Sequence, residues 1–225
     1  MREFNLLNGY PNPNNPRFVS KNLRTIQKRI QATGRNKSFF DGDRTEGYGG
    51  FSYDGRWKLI AERIITEYKI SKHSNLLHIN SEKGFLLNDL KIKSPSINIF
   101  GTETSNYAKN NSMESIRENI FDANPKSLPF PNQYFDFVIA IGVVYGFNLK
   151  DSIKVLREIS RVSKGKSFIT LASYDTEEDY FLFKDWTLLG ATILRKEEWV
   201  EVLNHADYQG DYNFTNARTL NLKRT

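Results

Sequence analysis

Four positions in NLLHINSEKGFLLNDL, residues 75–90, have side chains or backbone freedom that can meet a nucleotide: His78, Asn80, Glu82 and Gly84. The apolar run LLHI stops at a polar turn, and a second apolar stretch at helical spacing starts at Gly84, as where a strand meets a helix in a nucleotide-binding unit. Such turns usually hold several glycines; here Gly84 stands alone. The stretch therefore reads as a cofactor loop that has changed, a cofactor loop that has failed, or an ordinary strand-to-helix turn. About twenty residues on, Glu103 follows SINIFG, where a carboxylate can accept both hydroxyls of a ribose. An exposed glutamate favoured by a helix dipole is the other reading. Asp122 and Ala123 can receive an adenine amino group, or Asp122 is a turn or N-cap aspartate. Tyr145, Asp175, Glu177 and Glu178 follow later apolar runs and can orient or deprotonate an acceptor, although such residues are also commonly just solvated. Tyr145 and Asp175 are the catalytic candidates among them.

Only strand ends gathered on one side of a sheet could bring these residues together. From Leu76 onward the chain alternates LLHI, GFLLNDL, SINIFGTE, SNYAKN, FDFVIAIGVV, DSIKVLREISRV and SFITLASY. Strands separated by helices of about ten residues predict right-handed crossovers and a parallel sheet. The fold class is thus α/β, a Rossmann-like, doubly wound, mostly parallel sheet with helices on both faces. Residues 135–144 are almost continuously apolar, as in a central strand covered on both faces. Val155, Ile159 and Val162 share one face of the next helix. Residues 196–205 form a late helix, and GDYNFTNARTLNL, 210–222, supplies two final strands as a hairpin around Asn216, an antiparallel C-terminal edge.

Residues 1–70 read as an N-terminal extension to a domain spanning 71–225. Its Asn/Pro-rich stretch, 8–16, is irregular. Residues 18–32 form a basic amphipathic helix with Leu23, Ile26 and Ile30 on one face, and 58–68 form another helix. Between them lies FFDGDRTEGYGGFSYDGRW, residues 39–57, with five glycines and four aromatics after Phe39 and Phe40. Glycine lets backbone approach a ligand closely, so this segment can wall a site or form a lid, with Tyr48, Tyr53, Arg56 and Trp57 as contacts. The alternative is an Ω-type loop filled by its own aromatics.

The ordered set resembles the class I S-adenosylmethionine-dependent methyltransferases. LPFPNQYFDFVIAIGVVYGF is similar to that family's passage from the adenine loop into the fourth strand, and LREISRVSKGKSFITLASY to its helix and fifth strand. With GTETSNYA at the second turn, the likeness runs from about Leu76 to Tyr174. The resemblance implies S-adenosylmethionine as cofactor, with Glu103 at the ribose, Asp122 and Ala123 at the adenine, and Thr104 and Ile141 against the cofactor. It also aligns residues 78–84 with the family's glycine-rich first motif. There His78 replaces the usual acid, Asn80 and Glu82 replace two glycines, and Gly84 remains. Side chains at 80 and 82 enter space that glycines leave to the methionine part of the cofactor, and Glu82 adds a negative charge. EEWVEVLNHADYQGDYNF resembles a tail of these enzymes, and YGGFSYDGRW a subset associated with small-molecule and surface-sugar modification.

Composition bounds the partners. The 225 residues suit one medium domain. No run is apolar enough to span a membrane and the start is too polar for a secretory signal, which points to the cytosol. No cysteine is present, so disulfides and cysteine zinc sites are excluded; His73, His78 and His205 do not suggest a metal cluster. The net charge of +6 is spread without a block, which suits a solvated surface or acidic small molecules better than nucleic acid. The implied activity is methyl transfer to an oxygen or nitrogen of a small polar acceptor, such as a sugar or surface-polysaccharide precursor. The alternative is an inactive relative that binds or stabilises an active protein partner. A homodimer is compatible with either.

Overall fold

The structure is a computed structural model describing residues 1–11 and 15–225. Positions 12–14, within the Asn/Pro-rich stretch, lie outside the described residues. In chain order the strands are β1 (Arg2–Glu3), β2 (Arg17–Val19), β3 (Asn75–Ile79), β4 (Asn98–Thr102), β5 (Ile120–Phe121), β6 (Phe137–Ala140), β7 (Ser167–Ala172), β8 (Asp211–Thr215) and β9 (Leu222–Arg224). The α-helices are α1 (Ile26–Thr33), α2 (Lys37–Asp41), α3 (Lys58–Glu67), α4 (Phe85–Lys93), α5 (Asn106–Asn110), α6 (Leu149–Val162), α7 (Glu177–Trp186) and α8 (Lys196–His205).

Seven strands form one parallel sheet in the order β1-β8-β7-β6-β3-β4-β5. β6 sits mid-sheet with all four residues buried, Phe137 fully and Ile139 at 1% exposure, as its unbroken apolar run requires. On one face α6 and α8 deliver Val155, Leu156, Ile159, Trp199 and Leu203; on the other, α3 and α4 deliver Ile60, Ile64, Leu86 and Leu90. The result is a three-layer sandwich. Strand order reverses direction between β3 and β6, and in such sheets ligands bind at the carboxyl ends of strands around that point.

Two expectations are corrected. The C-terminal edge is not antiparallel: β8 pairs parallel with β7, from Phe168↔Asp211 to Ala172↔Thr215. The connection through α7 and α8 returns the chain to the amino end of the sheet, so β8 must start where β7 starts. Asn216 does shape a turn, exchanging hydrogen bonds with Thr219, but β9 leaves it to pair with β2 rather than fold back on β8. The helix expected at 18–32 is also shorter, with β2 at Arg17–Val19 and α1 starting only at Ile26, and two of the three residues of its apolar stripe face outward. Ile26 and Ile30 are each 63% exposed, while Arg29 points inward and donates to the carbonyls of Arg24, Lys184 and Thr187. Charge-assisted bonds to those carbonyls have outweighed burial of two isoleucines.

The first residues are also part of the sheet. β1 pairs with β8, and the Arg2 guanidinium bridges Glu67 of α3 (2.8 Å) and Asp211 of β8 (2.7 Å).

Candidate functional site

The turn after β3 holds left-handed backbone at alternate positions: Asn80 (φ 52°), Glu82 (φ 56°) and Gly84 (φ 75°). A glycine-rich loop adopts such angles without cost; here one glycine remains and the shape persists. Asn tolerates the region, whereas for Glu82 it costs about 1 kcal/mol or more. Contacts with the neighbouring strand offset that strain. Ser81 N–H donates to the Thr102 carbonyl (2.8 Å) and Glu82 N–H to Glu103 Oε2 (2.9 Å). At Gly84 a side chain would also be crowded out, since an added Cβ would lie 2.2 Å from Ile116 Cδ1 and 3.1 Å from Ile120 Cδ1. Gly84→Ala should therefore cost roughly 2–4 kcal/mol, combining left-handed strain with overpacking. A denaturant midpoint unchanged in that variant would contradict this account.

Glu103 lies just beyond β4 and is fully buried. Its carboxylate accepts from Glu82 N–H, Ser105 N–H (2.8 Å) and the Arg35 guanidinium (2.8 Å). Arg35, in the connection between α1 and α2, also lies 3.9 Å from Glu82. The Glu82 carboxylate accepts from the Tyr48 hydroxyl at 2.5 Å. Burial first, then Glu103, pushes the Glu82 carboxyl up to about 7, against the opposing pull of Arg35 and Tyr48. A carboxyl with a raised folded pKa stabilises the fold below its ordinary 4.5 and loses that contribution as pH climbs through 7. Glu82→Gln should flatten stability between those pH values and raise it at pH 8 by about 3 kcal/mol. Melting curves at pH 4.5 and pH 8 whose difference is the same in variant and wild type would refute it.

Residues 39–57 cross this end of the sheet. Lys83 Nζ donates to both Asp41 oxygens (2.9 and 2.7 Å) and to the Phe51 carbonyl (2.8 Å), and Tyr107 donates to Asp41 (2.7 Å). Phe51 stacks on Phe85 at 4.8 Å, and Tyr53 donates to Asp89 at 2.5 Å. Tyr48 and Tyr53 thus meet the loop and the start of α4. Arg56 and Trp57 do not join them: Arg56 chelates Asp54 and lies over Tyr10, and Trp57 packs 4.5 Å from Tyr10.

The other positions separate. His78 lies inside β3, 6% exposed, with Nδ1 unpartnered among the described residues, and burial pushes it down to about 4, so it is a neutral core residue. Thr104 is exposed. Asp122 is exposed and paired with Lys109 at 2.5 Å, while Ala123 is buried beside it in the core. Ile141 is half-buried after β6, next to Gly142, whose left-handed backbone (φ 72°) leaves open space at its Cα except for Tyr145 Oη 3.6 Å from where a Cβ would lie. Burial, then the Glu82 charge, pushes the Tyr145 phenol up to about 12. Asp175 is exposed after β7 and makes no side-chain hydrogen bond among the described residues. Arg35, Asp41, Lys83 and Asp89 join the site without having been singled out in the sequence, because no spacing rule ties them to the strand ends. α7 was not among the expected elements, although Thr176 and Asp179 form a capping box at its start.

Parallel strands in this order, with an acid beyond β4 and a left-handed turn after β3, define a class I nucleotide-binding methyltransferase fold. Residues 77–171 match the family described as the methyltransferase domain. Within that stretch the chain carries a methyltransferase domain. No curated protein matches it in sequence. Among solved structures it is similar to the YcgJ protein from Bacillus subtilis, 19% identical with TM-score 0.54, covering 65% of this chain and 66% of that one. It is also similar to an S-adenosylmethionine-dependent methyltransferase from Methanosarcina mazei, 17% identical with TM-score 0.52, covering 64% and 82%. A third match is a chain of the Haloferax volcanii complex between the Trm112 methyltransferase activator and a methyltransferase, 19% identical with TM-score 0.51, covering 68% and 72%. The matched part thus spans just under two thirds of the Bacillus subtilis chain.

The methyltransferase-domain match implies S-adenosylmethionine as the cofactor. The chain's own atoms fit such a group. Asn80 Oδ1 and Thr102 Oγ1 are buried without partners among the described residues, at the strand ends where a polar ligand would lie. The loop backbone keeps its left-handed shape, with the Glu103 carboxylate held against it by the Glu82 N–H. No helix among the described residues is long and apolar enough to cross a membrane.

Proposed function

We propose that this chain transfers a methyl group from S-adenosylmethionine to an oxygen or nitrogen of a small polar acceptor. The observation that carries the reading is Glu103: a fully buried carboxylate beyond β4, aimed by the N–H groups of Glu82 and Ser105. When bound, S-adenosylmethionine supplies an electrophilic methyl carbon on a positively charged sulfur. Glu103 accepts the ribose hydroxyls in place of Arg35, the backbone of 80–84 and Ile141 flank the cofactor, and Asp122 with Ala123 meets the adenine. Residues 39–53 cover the strand ends and exclude water. Alignment of acceptor and methyl does most of the work in such a displacement. For a hydroxyl acceptor the proton goes to Glu82, whose carboxyl at about 7 suits a general base at neutral pH. Tyr145, at about 12, serves as a donor that orients the acceptor.

Calorimetric titration with S-adenosylmethionine and S-adenosylhomocysteine tests this reading. Glu103→Ala should weaken binding tenfold or more, the equivalent of about 1.5–3 kcal/mol for a charge-assisted contact. A second reading, an inactive relative that serves a protein partner, is favoured by the Arg35–Glu103 ion pair, which fills the ribose position from within. Absence of binding in the wild type, with binding gained by Asn80→Gly/Glu82→Gly, would select that second reading.

A further inference from the structure

Away from the β3 loop, three guanidinium groups gather on one indole. Arg24 lies 4.2 Å from the Trp186 ring centre, Arg17 5.3 Å and Arg44 5.4 Å. They come from distant parts of the chain: Arg17 from β2, Arg24 from just before α1, Arg44 from the segment over the site, and Trp186 from the end of α7. No carboxylate pairs with any of the three among the described residues. The nearby acids are engaged elsewhere, Asp185 with Arg224 (2.7 Å) and Asp43 with the N–H and hydroxyl of Thr45 (2.7 and 2.6 Å). Arg29 stands beside them, but each of its three guanidinium nitrogens already donates to a carbonyl.

Cation–π contact and carbonyl bonds meet only part of the cost of gathering these charges. Arg24 is 8% exposed; its Nη atoms donate to the carbonyls of Trp186 and Arg44, and its Nε is buried with no partner. Arg44 uses only Nη1, on the carbonyls of Gly47 and Tyr48 (both 3.0 Å), and Arg17 makes no side-chain hydrogen bond among the described residues. Burial, then the neighbouring arginines, pushes Arg24 down to about 9 and lowers Arg17 as well. Arginine keeps its proton in proteins, so these shifts express an unmet electrostatic cost. Natural folds rarely leave a buried donor and several like charges without a counter-ion.

We propose that Arg17, Arg24 and Arg44, assembled on Trp186, form a binding site for the pyrophosphate group of a small phosphorylated ligand. Guanidinium forks match phosphate oxygens bidentately, and three positive charges suit a multiply charged anion; a single carboxylate would leave two of them unmatched. Arg44 is exposed and Arg17 half-buried, and both offer unused donors, while Arg24 is buried. The cluster converges on one ring rather than following a groove, which favours a compact anion over a nucleic-acid strand. The site does not depend on methyl transfer for its existence.

The test is calorimetric titration of the full chain, at low salt, with inorganic pyrophosphate and separately with a nucleoside diphosphate. Wild type should bind pyrophosphate; a nucleoside diphosphate binding more tightly would identify a nucleotide-linked source, and equal binding the bare group. Affinity should fall at least tenfold in Arg17→Gln/Arg44→Gln and stay unchanged in Arg157→Gln, a control that removes charge elsewhere. If the double glutamine variant does not fold, Arg17→Lys/Arg44→Lys, which keeps charge but loses the forks, should still lose threefold or more. No pyrophosphate binding by the wild type, an equal loss in Arg157→Gln, full affinity in the lysine variant, or tighter binding of a single-stranded oligonucleotide than of either small anion would overturn the proposal.

Discussion

Arg35→Ala is expected to destabilise the ligand-free protein by about 3 kcal/mol and at the same time to raise its affinity for S-adenosylmethionine about tenfold. The two effects have one origin. Glu103 is fully buried, and Arg35, itself only 16% exposed at the side chain, supplies its sole ionic partner among the described residues. Removing one member of a buried pair leaves the other charge uncompensated, a loss of about 3–5 kcal/mol, moderated here by the two backbone N–H groups that Glu103 keeps. The same removal frees the oxygen that a ribose hydroxyl needs, so the ligand no longer has to break the ion pair before binding. Thermal melts with and without S-adenosylmethionine, paired with calorimetry, read both quantities. A variant that loses stability and also loses affinity would mean that Arg35 contacts the ligand rather than competing with it.

Ile139→Asp is expected to abolish folding. Ile139 sits in β6 between His78 of β3 and Phe168 of β7 and is 1% exposed. An aspartate there would be ionised without a partner or protonated without an acceptor, at a cost of about 4 kcal/mol or more beyond the lost burial. The total approaches the whole stability of an ordinary domain, about 5–15 kcal/mol. Ile139→Val should cost only about 0.5–1.5 kcal/mol, which separates the charge from the loss of volume. Native circular dichroism and a cooperative melt in the aspartate variant would contradict the placement of β6 at the centre of the sheet.

How far the molecule can be read from its residues differs from element to element. The α8 helix at Lys196–His205 and the buried face of α6 follow from periodicity, because burial of one face dictates which positions are apolar. The segment at 18–32 follows the same rule on paper and breaks it in the molecule. A helix stripe records only that a face could be buried, and Arg29 found carbonyls on the other side. β8 shows the complementary case. Its alternation marks a strand, but alternation carries no information about direction, which the α7–α8 connection set.

By itself, then, the sequence determined the parallel α/β layers, the order of strand-end turns, and the placement of an acid after the second strand of the domain and of the Asp122 turn after the third. These are properties of local pattern and spacing, and they are written into consecutive residues. Only the tertiary structure decided that Glu103 is held by Arg35, that Glu82 keeps a glycine's backbone angle while its carboxyl rests under Tyr48, and that three arginines from β2, the start of α1 and the covering segment share the face of Trp186. Each of those contacts joins residues tens to well over a hundred positions apart. Charges meet across such distances because the sheet and its covering layers fold them together, and no periodicity along the chain encodes that meeting.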